Sequence, residues 1–155
     1  MDKIRLAVIG AGEMGMLRSV IAKALQEYEL VAIVEKSRTM ARIAGKRLDV
    51  NYYTDHQKAL KKEFLDAVAI CTPPKSHYQI ASDVLDYGIN VFCEKPLATS
   101  LKDAARILRK AEDAKVVHQI DYDRRFYPTF KKMKELLDAG FLGDYDRRSN
   151  FNRLK

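Results

Sequence analysis

The run Gly10-Ala11-Gly12-Glu13-Met14-Gly15 constrains this chain more than any other feature. It follows the apolar hexad Ile4 to Ile9 and opens a stretch from Met14 to Tyr28 with helical period. On that stretch Leu17, Val20, Ile21, Ala24, Leu25 and Tyr28 share one face. A GxGxxG pattern alone is weak. Between a buried strand and a helix, it forms the loop that presents a helix N-terminus to phosphate. Gly10 permits the tight turn, Gly12 lets the backbone approach a pyrophosphate, and Gly15 lets the helix pack close to its strand. Ala11, Glu13 and Met14 complete the loop. A merely structural glycine turn is the alternative, and the strand–loop–helix context argues against it.

The rest of the chain repeats the alternation. Further strands are expected at Leu30 to Val34, Asn51 to Tyr53, Asp66 to Cys71, Ile89 to Cys93 and Val116 to Ile120. Helices are expected at Thr39 to Leu48, from the Asp55 cap to Lys62, and at Ser76 to Tyr87. Two more run from the Ser100 cap to Ala114, with Leu101, Ala104, Ala105, Leu108 and Ala111 on one face, and from Pro128 to Ala139. Alternating strands and helices imply right-handed crossovers and a parallel sheet covered on both faces. The expected fold class is therefore α/β, a doubly wound parallel sheet with a short C-terminal extension. Residues 1–121 form the dinucleotide-binding domain, and residues 122–155 form a junction helix and the start of something further.

Composition closes off other classes. The chain has 155 residues, 47% hydrophobic and 32% charged, which suits one globular domain rather than a disordered or fibrous chain. No apolar run reaches the roughly 18–20 residues that span a bilayer. Two cysteines give neither a disulfide framework nor zinc spacing, so no metal site is expected. The expectation is a soluble, cytoplasmic protein with no membrane partner. The net charge of +7 is concentrated late: residues 101–155 hold 14 basic and 9 acidic residues. No nucleic-acid motif accompanies it, so it reads as a solvated surface and nucleic acid is not an expected partner.

In a doubly wound sheet, ligands sit beyond the carboxyl ends of the strands. Glu35 ends the second strand, 20 residues after Gly15. An acid there accepts hydrogen bonds from the adenosine ribose hydroxyls and repels a 2′-phosphate, which favours NAD. Lys36 and Arg38 follow at once and are able to hold such a phosphate, so NADP stays open. Cys71-Thr72-Pro73-Pro74 ends the fourth strand, with His77 three residues on, and Cys93-Glu94-Lys95-Pro96 ends the fifth. Lys95 at the cleft rim can hydrogen-bond a substrate hydroxyl and help move its proton; a solvated surface lysine is the alternative. His118, inside an expected strand, reads as a packed core residue. His56 reads as the start of a surface helix. Tyr122 and Tyr127 read as packing residues at the domain edge.

Four segments together resemble the N-terminal part of the Gfo/Idh/MocA oxidoreductases. They are GAGEMG at Gly10–Gly15, CTPPKSH at Cys71–His77, CEKPLA at Cys93–Ala98 and RRFYP at Arg124–Pro128. Their order and spacing match across about 1–128, and in combination they are highly specific. The resemblance implies a nicotinamide-dependent enzyme acting on a sugar, cyclitol or related polyol. It implies that Lys95 is the active-site lysine and that Pro96 is cis. It places Thr72–His77 and Glu94–Lys95 along the nicotinamide and ribose side of the cleft, and Arg124 and Arg125 near the cofactor or the domain junction.

This sequence departs from the family pattern at two points. Asp121 stands where the family usually has a small residue, often glycine, which changes the cleft wall there. The family also continues into an α/β domain with an open antiparallel sheet, which supplies the substrate pocket, a catalytic His with a nearby acid, and the dimer face. Here Asp144–Lys155 amounts to its first strand at most. Three readings stay open: the dinucleotide half of a dehydrogenase, completed elsewhere; a non-catalytic NAD(H)-sensing module working through a partner; and a compact reductase. The uncovered face of the missing domain suggests a homo-oligomer or a partner chain.

Overall fold

Six short apolar runs pair side by side into one parallel sheet. The structure, a computed structural model, describes residues 2–141 and 143. The strands are β1 (Ile4–Ile9), β2 (Tyr28–Val34), β3 (Asn51–Tyr53), β4 (Ala67–Ile70), β5 (Asn90–Glu94) and β6 (His118–Asp121). Their order is β3-β2-β1-β4-β5-β6, and every pairing is parallel. The helices are α1 (Glu13–Ala24), α2 (Arg38–Leu48), α3 (His56–Lys62), α4 (His77–Asp86), α5 (Leu101–Ala114) and α6 (Pro128–Asp138). The chain reverses its lateral direction at β1, so the switch point lies between β1 and β4, with the glycine loop directly above it.

The central strands β1, β2, β4 and β5 alternate their side chains between two cores. Ala7, Ile9, Val68, Ile70, Val91 and Cys93 pack with Leu60 of α3, Val84 of α4 and Ile107 of α5. Leu6, Val8, Ile33 and Ala69 pack on the other face with Ala22 of α1 and Leu48 of α2. This two-sided burial explains the continuous apolar runs, since neither face of a central strand meets water.

Some expectations are corrected. Tyr28 does not close the first helix. α1 ends at Ala24, and Tyr28 is the first residue of β2. The expected apolar face of α1 is its outer one: Leu17, Val20, Ile21 and Leu25 are exposed, whereas Gly15, Ser19 and Ala22 are buried. The helix runs so close to the sheet that only small residues fit beneath it. The Ser19 hydroxyl donates to the Gly15 carbonyl at 2.7 Å, which lets a serine sit fully buried. The seam of α5 is Ile107 and Ala111, while Leu101 and Leu108 are exposed. His118 is an exposed residue on the edge strand, not a core residue. An apolar groove of about 400 Å³ remains on the α1 face of the sheet, with Leu6, Ile21, Leu25 and Phe92 among its lining.

The chain divides into two compact units, Met1–Asp121 and Tyr122–Lys155. In the second, a 3₁₀ turn at Asp123–Phe126 precedes α6, which presents Phe130, Met133, Leu136 and Leu137 exposed. Tyr122 and Tyr127 are also exposed. The first strand expected within Asp144–Lys155 lies outside the described residues. Among the described residues, no helix is long and apolar enough to cross a membrane.

Candidate functional site

A cleft of about 960 Å³ opens over the carboxyl ends of β1, β2 and β4, a size that suits a ligand larger than most single metabolites. Ile9, Gly10, Gly12, Glu13 and Met14 form its floor. Gly10 has φ +104°, and a Cβ there would meet the Cys71 carbonyl oxygen at 2.6 Å. The loop therefore turns sharply against β4 and leaves no room for a side chain. Gly12 is the opposite case: a Cβ there would find nothing within 4 Å. Gly12 is the N-cap of α1, and no side chain caps that helix. Its first-turn N–H groups thus face the cleft with no side-chain acceptor, beside the positive end of the helix dipole. The position is open to an anion, and that cradle fits a pyrophosphate.

Glu35, at the end of β2, is held in place by the loop that it flanks. Its carboxylate accepts from the Ala11 N–H at 3.1 Å and from the Ser37 N–H at 3.2 Å. Lone pairs remain on both oxygens for further donors. Lys36 lines the same cleft and is exposed. Cys71, Thr72 and Pro73 form the opposite wall. The Ser76 hydroxyl donates to the Pro73 carbonyl at 2.8 Å and lies 2.9 Å from the Thr72 hydroxyl, which fixes that turn. Thr54, Asp55 and His56 also line the cleft, and the sequence did not mark them as site residues; Lys75, within the expected stretch Thr72–His77, lines it too. The strand-end rule points to the first three, because they follow β3 directly. The Asp55 cap and the helical start of His56 obscured this.

The other expected residues stand apart from the cleft lining. Ala11 is buried and contributes its N–H to Glu35; Gly15 is buried beneath α1. Pro74 begins the 3₁₀ turn Pro74–Ser76. His77 is fully buried, with Nδ1 2.8 Å from the Pro96 carbonyl and Nε2 2.7 Å from the Thr72 carbonyl. Its ring thus ties the turn after β4 to the turn after β5 from beneath. Lys95 is exposed just past β5, and the Lys95–Pro96 bond is cis. Arg125 lies exposed in the 3₁₀ turn of the second unit.

Glu94 is buried at the end of β5 and pairs in register with Asp121 of β6, also buried. Arg18 of α1 reaches over the Phe92 ring and places Nη2 on both carboxylates, 3.4 Å from Glu94 and closer to Asp121. Burial pushes the Glu94 carboxyl above the usual carboxylate range. The adjoining Asp121 carboxyl adds to that push, and Arg18 opposes it. Burial likewise pushes the free thiols of Cys71 and Cys93 up to about 12, so neither is a thiolate nucleophile near neutral pH.

Residues 4–122 match the model of the Gfo/Idh/MocA oxidoreductase family, NAD-binding Rossmann fold. The chain belongs to this family. The match places NAD as the dinucleotide of the fold. Over 141 residues the chain is 30% identical to the myo-inositol 2-dehydrogenase of Thermotoga maritima, covering 90% of this chain and 42% of that protein. It is 27% identical over 143 residues to the scyllo-inositol 2-dehydrogenase (NAD(+)) of Bacillus subtilis, with 91% and 42% covered. The crystal structure of scyllo-inositol dehydrogenase from Lactobacillus casei, with bound NAD(H) and scyllo-inositol, superposes with a TM-score of 0.85 at 26% identity. That superposition covers 92% of this chain and 43% of the other. The chain thus spans less than half the length of these relatives.

Proposed function

We propose that this chain holds NAD(H) for a dehydrogenase that acts on a sugar, cyclitol or related polyol by hydride transfer. The observation that carries the reading is the open space at Gly12 over an uncapped helix N-terminus, inside a cleft that ends at Glu35. In this reading Gly12 and the first turn of α1 hold the pyrophosphate, and Glu35 accepts the adenosine ribose hydroxyls. Thr72 and Pro73 border the nicotinamide ribose. Glu94 and Lys95 stand at the nicotinamide side, with His77 bracing both turns. The nicotinamide, when bound, accepts or returns the hydride. Lys95 holds the substrate hydroxyl at Nζ and helps move its proton. Arg125 approaches the cofactor once a substrate domain is in place. A second domain or a partner chain completes the substrate pocket, as the relatives' greater length suggests, and the protein works in the cytoplasm.

The 155-residue chain alone should bind NADH yet show negligible turnover with a panel of polyols and sugars. Orientation by a complete pocket is worth roughly 7–11 kcal/mol of a barrier. Its exposed apolar residues on α1 and α6 should also drive self-association, because uncovered apolar patches of a few hundred Å² find partners. Steady-state assays and sedimentation across a dilution series check both. Robust Lys95-dependent dehydrogenation by a strictly monomeric chain would overturn the reading of an incomplete site.

Cofactor choice has its own test. Glu35→Ser removes the carboxylate that repels a 2′-phosphate, and leaves Lys36 and Arg38 free to pair with one. The NADPH-to-NADH affinity ratio should rise at least about tenfold, given about 1.5–3 kcal/mol for a charge-assisted bond. If the native chain already binds NADPH much more tightly than NADH by fluorescence titration, Glu35 does not discriminate.

A further inference from the structure

We propose that Glu94 and Asp121 act as a carboxyl pair sharing one proton, tethered by Arg18, and that this pair sets the balance between oxidised and reduced cofactor. The proposal rests on the dinucleotide reading above, in which the nicotinamide half falls at the carboxyl end of β5. The two carboxyl groups are register partners on adjacent strands, and their residues are only 8% and 5% exposed. A single guanidinium nitrogen, Nη2 of Arg18, serves both. The Arg18 Nε is buried and has no partner of its own. One arginine therefore faces two carboxyl groups and neutralises one charge. In a site this dry the second carboxyl keeps its proton more readily than in water. The elevated Glu94 carboxyl agrees with that count.

Few other charges face the pair. Cys71, just past β4, and Cys93 of β5 are its titratable neighbours, and both thiols stay neutral across the physiological range. Lys95, next along the chain, is exposed. The pair's net charge with Arg18 is thus near zero when it is protonated and near minus one when the proton leaves.

The two forms of the cofactor differ in that same unit of charge: the nicotinamide ring is cationic in NAD+ and neutral in NADH. Loss of the shared proton strengthens the cation's interaction and leaves the neutral ring nearly unaffected. Raising the pH should therefore favour NAD+ over NADH. Asp121 is the decisive member, because without it Glu94 pairs one-to-one with Arg18 and loses the push that a second carboxyl adds.

The test measures binding of NAD+, NADH and ADP-ribose by the full chain, native and Asp121→Asn, from about pH 5 to about pH 8. ADP-ribose carries the adenosine and pyrophosphate but no nicotinamide. In the native chain the NAD+-to-NADH affinity ratio should rise about three- to tenfold with pH, the size expected for a screened unit charge at close range. In Asp121→Asn the ratio should rise clearly less, with ADP-ribose affinity equal to that of the native chain. A flat ratio in the native chain, or an equal rise in the variant, overturns the carboxyl pair while leaving the cofactor reading intact. Failure of all three ligands to bind the native chain overturns the cofactor reading, and this proposal with it.

Discussion

Replacing Gly12 with valine should abolish NADH binding, lowering affinity by at least about a hundredfold, while the protein remains folded. The backbone at Gly12 has φ −70° and ψ −172°, which any residue adopts, and no heavy atom lies within 4 Å of a Cβ placed there. The fold therefore loses little. Exchanging glycine for a β-branched residue at an N-cap costs about 1 kcal/mol. The ligand loses much more, because the new side chain occupies the space over the first turn of α1 where a phosphate meets the N–H groups. Two charge-assisted hydrogen bonds forgone amount to about 3–6 kcal/mol, or a hundredfold and more. Fluorescence titration with NADH gives the affinity, and urea unfolding of the same samples gives the stability. Equal affinities in variant and native chain would remove the anion cradle from the argument and leave Glu35 as the only anchor.

The parts of this molecule that could be read from its sequence are those governed by near neighbours. Ile4–Ile9, Gly10–Gly15 and the strand ends at Glu35, Cys71 and Glu94 are local patterns, and the sheet assembles them as expected. The buried side of α1 was not legible, because an apolar stripe marks a core face only when the helix stands a full side chain away from its sheet. Here Gly15, Ser19 and Ala22 let it approach more closely, and the leucine and isoleucine positions turn outward. The bond between Arg18 and Asp121 spans 103 residues. The sequence showed Asp121 as unusual, but only the parallel register of β5 and β6 and the reach of α1 reveal what it pairs with. Likewise, His77 stood in a motif, but its bridging position between the Thr72 and Pro96 carbonyls follows from the tertiary course of two loops.

Gly15→Ala should destabilise the protein by about 3 kcal/mol or more, although alanine is the better helix former. Two effects oppose each other. In a helix interior, alanine gains about 1 kcal/mol over glycine. Against that, a Cβ at Gly15 would lie 1.8 Å from the Gly10 carbonyl oxygen and 3.4 Å from the Cys71 Cβ. The first obstacle is backbone, and Gly10 is itself pressed against the Cys71 carbonyl, so the loop has nowhere to retreat. Relief requires α1 to move away from β1 and β4, which opens the packing around Ala22 and Ala69 in the core on that face. Overpacking costs about 1–3 kcal/mol and occasionally more, and a 1.8 Å approach to main chain that cannot retreat puts it above that range, at about 4 kcal/mol, or about 3 kcal/mol net of the propensity gain. The clash therefore exceeds the propensity gain. For a domain of this size the net loss lowers Tm by about 10 °C. Thermal and urea unfolding of Gly15→Ala should show that loss beside Gly12→Ala, which meets no atom and should unfold close to the native chain. A Gly15→Ala protein as stable as the native one would mean that the close approach of α1 to the glycine loop is not what holds this end of the sheet together.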